Sequence, residues 1–212
     1  MRKWILAVSL CGLLTLGGCT ENEDEMQREL SEILNEVQAH EKEASDFETQ
    51  LAAIEKKEQI LFEKTLNLKV EEQDIVESNV TRMKTFLSER QELIEEERVI
   101  VGEAEKKSMQ LSDLPAADSD DGTRAVAKLK KALTERYELH RNVIELYIEM
   151  TERQLNVYNL LIDEKVKRVK LEEATSSVNK TKAQLEDATR VFNQSTNEVN
   201  SALSETQQIE TE

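Results

Sequence analysis

The chain has 212 residues, 44 of them acidic and 28 basic, for a formal net charge of −16. That surplus of carboxylates argues against nucleic acid, which demands a basic face, and against adsorption to anionic lipid headgroups. Five glycines and one proline are too few for the turns of a β-rich or α/β domain of this length. The abundance of Glu, Lys, Leu and Gln predicts long helices, and 38% hydrophobic residues in regular spacing speak against a disordered acidic chain.

The first segment is not part of that helical chain. Arg2 and Lys3 precede the 13-residue apolar run "WILAVSLCGLLTL". This run is short for a membrane span, which needs roughly 20 apolar residues, and suits an export signal. It ends Leu16-Gly17-Gly18-Cys19, which resembles the lipobox of bacterial lipoproteins. The resemblance implies cleavage between Gly18 and Cys19, with a diacylglycerol-modified Cys19 as the first residue of the mature chain, a lipid position that also draws palmitate. Residues 1–18 are then a signal peptide, and 19–25 are the lipidated Cys with an acidic tether, "TENEDE". Cys11 and Trp4 leave with the signal, so neither a disulfide nor thiol catalysis is available afterwards. Losing Arg2 and Lys3 leaves 26 basic residues against 44 acidic, a net charge of −18.

From Met26 onward apolar residues recur every seventh position, at Met26, Ile33, Phe47, Ile54, Leu61, Leu68 and Ile75, with His40 in the same ladder. A second ladder, Leu30, Val37, Ala44 and Leu51, is interleaved with it. Together they make the 4,3 repeat of a coiled-coil seam. The second ladder turns polar at Glu58, Thr65, Glu72 and Asn79. The apolar stripe drifts to Phe62, Leu66, Val76, Val80, Met83 and Leu87, as in a straighter bundle helix or at a bend near "FEKTLNLKVEEQD". This first helical arm covers 26–112.

Residues 113–123 form the clear break. The stretch "LSDLPAADSDDGT" holds Pro115, Gly122 and four aspartates, a loop composition in which Asp121 or Thr123 can cap the next helix. The second arm, 124–210, opens with the stripe Val126, Leu129, Leu133, Tyr137, His140, Ile144, Tyr147, Leu155, Tyr158 and Ile162. It passes through "KVKRVK" and settles into a strict heptad. One ladder there is Leu171, Val178, Leu185, Phe192 and Val199. The other is Ala174, Thr181, Ala188, Ser195, Ala202 and Ile209, whose small side chains allow close helix approach but bury little apolar area. Two near-equal arms around one loop predict an all-α chain: a long antiparallel helical hairpin or coiled coil. A continuous arm of about 88 residues at ~1.5 Å per residue would reach roughly 130 Å. The alternative folds the hairpin over at "FEKTLNLKVEEQD" and "LIDEKVKRVK" into a three- or four-helix bundle. The extended form is slightly preferred.

Few residues carry recognisable chemistry. The hairpin count keeps His40 and His140 apart, and neither follows the Glu-x-x-His spacing of di-iron bundles, so no metal site is assigned and His40 is read as a seam residue. The run "IEEERV" reads as a solvated helix face, with weak divalent-cation binding as the alternative. Tyr147 and Tyr158, eleven residues apart, share one helix face and read as core residues with a hydroxyl at the edge. Phosphate loops, hydrolase triads and His/Cys clusters are missing from the sequence, so no enzyme activity, cofactor or catalytic residue is expected. The basic residues Lys165, Lys167, Arg168 and Lys170 stand out in so acidic a chain. The favoured reading pairs them with Glu71, Glu72 and Asp74 of the other arm; the other makes them a contact for an anionic wall polymer or protein partner.

With the signal, the "LGGC" box, two acidic helical arms and a Pro/Asp loop in view, the chain resembles the YkyA-type cell-wall-binding lipoproteins of Gram-positive bacteria over essentially its whole length. The resemblance implies a non-enzymatic protein on the outer face of the cytoplasmic membrane, anchored in lipid through Cys19 and reaching toward peptidoglycan or wall polymer. The alternative is a coiled-coil scaffold whose weak Ala/Ser/Thr heptads bind a helical partner or a second copy.

Overall fold

The computed structural model describes residues 21–68, 72–115, 120–163, 165 and 167–209. Four α-helices make up the described chain: α1 Glu21–Leu66, α2 Gln73–Met109, α3 Asp120–Leu161 and α4 Arg168–Ile209. A short 3-10 turn, Gln110–Ser112, follows α2. No strand occurs among the described residues, and none of the described helices is long and apolar enough to cross a membrane. The proposed signal and Cys19 lie outside the described residues.

The helix boundaries follow from local chemistry. α1 begins at Glu21, so it takes in most of the acidic stretch read as a tether. Its last turn tightens into i→i+3 bonds, Asn67 N–H to Lys64 O and Leu68 N–H to Thr65 O, each 3.2 Å; such bonds satisfy the orphan carbonyls of a helix end. α3 begins at Asp120, within the stretch read as loop, with Asp120 and Asp121 in its first turn. It stops at Leu161, just beyond which the Asp163 carboxylate accepts the Lys165 backbone N–H at 2.9 Å, a turn made by a short acidic side chain.

The chain forms two compact units, each containing a segment of every helix. The first takes the described parts of Met1–Ser45, Val99–Arg141 and Thr189–Glu212. The second takes Asp46–Arg98 and Asn142–Ala188. Each unit is thus a four-helix packing, and of the two arrangements open in the sequence the folded-over bundle is the one observed. The preferred continuous arm is broken between Leu66 and Gln73 and again between Leu161 and Arg168. Folding back lets every helix bury a stripe on three others.

The buried positions show how the sequence does this. On α2 they run Val80, Met83, Leu87, Arg90, Ile94, Glu97, Val101, Ala104, Ser108 and onward to Leu111, an unbroken 3,4 repeat. On α4, Ala174, Thr181, Leu185, Phe192, Ser195, Val199, Ala202 and Thr206 are buried, so the predicted ladders there form the inward face. In the second unit Leu61, Val80, Met83, Leu87, Val157, Tyr158 and Ala174 pack as one cluster, flanked by Phe62, Val76, Ile162 and Leu171. Each large side chain so buried contributes roughly 1.5–3 kcal/mol.

One expectation is corrected here. The polar turn of the α1 ladder at Glu58 and Thr65 is not a change of face. Both residues are buried, at 3% and 5% exposure, whereas Leu66 on the supposed drifted stripe is 57% exposed. The register holds to the end of α1, with polar residues taken into the core; beyond the break the drifted stripe is the inward one, at Val80, Met83 and Leu87, while Ile75 of the original ladder is 48% exposed.

Candidate functional site

Thr65 shows the simplest way the bundle accepts polar core residues: its hydroxyl donates to Leu61 O at 2.8 Å. Ser108, Ser195 and Thr206 likewise donate to Glu105 O, Phe192 O and Ala202 O at 2.7, 2.7 and 2.9 Å. Each hydroxyl is satisfied by the preceding turn of its own helix. It therefore needs no cross-helix partner, and the small ladder can be buried without orphan donors. Thr181, fully buried, is the exception, with no partner for its hydroxyl among the described residues.

Arg90 is a larger commitment. It occupies a heptad core position of α2 in the second unit and is 2% exposed. Its Nη1 donates to Glu58 Oε2 at 2.6 Å and to Gln154 Oε1 at 3.1 Å, its Nη2 to Glu55 Oε1 at 3.2 Å and its Nε to the Tyr147 hydroxyl at 2.7 Å. Tyr147 in turn donates to Glu55 at 2.8 Å, and Tyr158 donates to the other oxygen of Glu58. Burial works against the Arg90 charge, but the surrounding Tyr147, Glu58 and Glu55 outweigh it and hold its pKa above the ordinary arginine value. Burial and the facing carboxylates push the hydroxyls of Tyr147 and Tyr158 up as well, against the opposing pull of Arg90. They stay protonated and donate. The guanidinium fork satisfies partners on two neighbouring helices at once, the geometry for which Arg is suited and Lys is not.

The first unit has its own buried guanidinium. Arg136 of α3 is 4% exposed and grips Glu41 of α1 with two bonds, Nη1 to Oε1 at 2.5 Å and Nη2 to Oε2 at 2.7 Å, while its Nε donates to Thr196 Oγ1 at 3.1 Å. Its Cζ sits 4.8 Å from the Phe192 ring centroid and 5.6 Å from that of Tyr137, within cation–π range. Burial raises the Glu41 pKa, but the charge and hydrogen bonds of Arg136 prevail and hold it below the usual carboxylate range.

The other singled-out residues fall into place around these networks. Tyr147 and Tyr158 are core residues whose hydroxyls serve buried charge. Glu95 and Glu96 of "IEEERV" are exposed, but Glu97 is buried at 3% exposure, so the reading of that run as a solvated face is corrected at this residue: the 3,4 repeat of α2 turns it inward. His40 is half-buried, its Nδ1 3.8 Å from Glu103, and His140 is buried with its ring 4.5 Å from Phe192. Sequence reading missed Arg90, Arg136, Glu41 and Glu58 as a class. For Arg90, Arg136 and Glu58 the signal was present, since each stands where a heptad demands an apolar residue; Glu41, beside the seam residue His40, gave none.

Lys165, Lys167, Arg168 and Lys170 are all exposed, at the α3–α4 connection of the second unit. Arg168 bonds Glu172 of its own helix at 2.7 Å. Among the described residues the three lysines make no side-chain ion pair. Of the acidic residues expected to pair with them, Glu71 lies outside the described residues, Glu72 is half-buried and Asp74 is exposed.

Comparison with known families agrees with this architecture. Residues 25–209 match the family model YkyA, described as "Putative cell-wall binding lipoprotein". The chain belongs to this family. Among solved structures, a conserved protein of unknown function from Staphylococcus aureus, crystallised at 1.6 Å, is similar to it. The TM-score is 0.78 and the identity 16%, covering 92% of this chain and 98% of that one. At that identity the likeness shows a shared fold. A search of curated proteins finds no match.

Proposed function

We propose that this family member is a non-enzymatic, lipid-anchored helical protein of the cell envelope, held on the outer face of the cytoplasmic membrane through Cys19 and making contact with the cell wall. The observation that carries the reading is the family match over 25–209, which begins six residues after a lipobox-like "LGGC". Helix α1 starts two residues after Cys19, so the lipid would be joined to the bundle by almost no linker. The two buried Arg networks support a structural use of the charged groups, because their guanidiniums are committed to carboxylates and tyrosines inside the fold.

The scaffold alternative has less support. Its partner face was the Ala/Ser/Thr ladder of the second arm, and Ala174, Thr181, Ser195 and Ala202 are buried within the chain's own packing.

Two measurements test the reading. Metabolic labelling with a radioactive fatty acid should mark the full chain and be lost in Cys19→Ala; persistent label in that variant would overturn the anchor. A lipid-free chain of residues 20–212, which contains every described helix, should co-sediment with purified sacculi. Failure with and without calcium would overturn wall contact.

A further inference from the structure

A chain with a net charge of −16 that binds the wall must recognise something there, and the described surface narrows what that is. Carbohydrate platforms stack sugar faces on exposed aromatic rings. No aromatic ring among the described residues is exposed: Tyr137, Tyr147, Tyr158 and Phe192 are buried, and Phe47, Phe62 and Phe86 are half-buried. A stacking mode is thus without a surface to use.

The α3–α4 connection offers the opposite chemistry. Lys165, Lys167, Arg168 and Lys170 fall within six residues and are all exposed. Their position is not explained by helix stability. α4 carries no acidic residue in its first turn, where the helix dipole favours carboxylates and disfavours cations. Among the described residues the three lysine ammoniums form no ion pair: the Asp163 carboxylate accepts the Lys165 backbone N–H, and Glu172 is paired with Arg168. The connection is also anchored from below. Val157, Ile162, Leu171 and Ala174 on either side of it pack in the same apolar cluster as Leu61 and Val80, so the lysines project from a fixed base rather than a free tail.

We propose that the wall ligand is an anionic phosphodiester polymer, held by Lys165, Lys167 and Lys170 with Arg168 beside them, rather than the uncharged glycan. This rests on the wall-contact reading above and specifies its chemistry. The lysines act as point charges on flexible side-chain stems, spaced along an anchored connection. Such contacts track a phosphate backbone without a rigid pocket, and they tolerate the acidic remainder of the chain because screening confines its repulsion to about 8–10 Å at moderate salt.

The test uses residues 20–212 in a co-sedimentation titration against two preparations of sacculi, one untreated and one stripped of phosphodiester-linked polymers with hydrofluoric acid. Binding to the untreated wall should weaken on the order of tenfold or more on stripping. It should weaken similarly in the triple variant K165Q/K167Q/K170Q, and fade as ionic strength approaches about 1 M. A control triple, K56Q/K57Q/K182Q, alters three exposed lysines elsewhere in the second unit and should bind normally. Equal binding to both preparations, or normal binding by the first triple, overturns this inference and leaves wall contact standing. Binding to neither preparation removes both. A polymer-independent gain on phosphatidylglycerol vesicles would assign the lysines to a membrane surface and overturn the proposal.

Discussion

Both units of the bundle bury an arginine at a heptad core position, but they satisfy it differently. In the second unit Arg90 is spread over two carboxylates, a glutamine and a tyrosine from α1 and α3, and Tyr158 completes the shell around Glu58. In the first, Arg136 is held by one bidentate carboxylate and the Thr196 hydroxyl, and rests on the faces of Phe192 and Tyr137. The apolar surroundings differ as well. The second unit packs Leu, Met, Val and Tyr in one cluster, whereas in the first core Ala44, Ala104, Ala125, Ala132 and Ala202 stand among larger side chains such as Leu30, Leu129, Leu133 and Tyr137. The difference teaches that one heptad pattern supports two ways of burying a guanidinium. A branched polar network can satisfy it, or one bidentate carboxylate with aromatic faces beside it.

The largest effect should come from breaking the branched network. Arg90→Met leaves Glu58, itself 3% exposed, without its guanidinium, and is expected to cost about 3–5 kcal/mol by urea unfolding followed by circular dichroism. The double variant R90M/E58L should recover most of that loss, because removing both charges removes the unpaired one. A double variant as unstable as the single would show that the network shapes the second unit beyond charge compensation.

The single pair of the first unit should be easier to break and should respond to acid. Arg136→Met is expected to cost roughly 2–3 kcal/mol. Because Arg136 holds the Glu41 pKa below its ordinary 4.5, the stability from this pair is fully present above about pH 4.5 and is lost as pH falls through the lower folded value. Urea midpoints should therefore drop below pH 4.5 in the wild type and drop less in R136M. Parallel curves would mean that Glu41 is not the responsive group.

Smaller changes sharpen the comparison. Tyr158→Phe removes one donor to a buried carboxylate and should cost about 1–2 kcal/mol, whereas Gly102→Ala should add stability. Gly102 lies inside α2 in the first unit, and a Cβ there would meet nothing within 4 Å; the gain expected is about 0.5–1 kcal/mol. A loss in G102A would show that the first unit depends at this position on something other than helix propensity. The smallest effect is reserved for K165Q/K167Q/K170Q, which should leave the unfolding midpoint within about 0.5 kcal/mol of wild type, since these exposed lysines make no ion pair among the described residues.

Much of this fold was legible in the sequence. The paired ladders of α4 face inward as their spacing implies, and the two stretches marked as bends are where the helices stop. What could not be read was the meaning of polar residues inside a ladder. Glu58 and Thr65 looked like a stripe leaving the core, because periodicity counts apolar residues and is blind to a carboxylate whose partner lies 32 positions away at Arg90. Glu97 was hidden among exposed glutamates for the same reason. For Lys165, Lys167 and Lys170 complementary charges on the two arms suggested pairing, and which exposed side chains meet depends on helix rotation, which charge alone does not set.

The sequence by itself determined that this protein is helical and that its helices pair through heptad seams. Periodicity, scarcity of glycine and proline, and short-range signals suffice for those. Only the tertiary structure decided that the hairpin folds back, that Arg90 and Arg136 lie inside it, and that the tyrosines serve buried charge. These depend on contacts between residues far apart in the chain, where the low-dielectric interior makes partner geometry, rather than residue type, decisive.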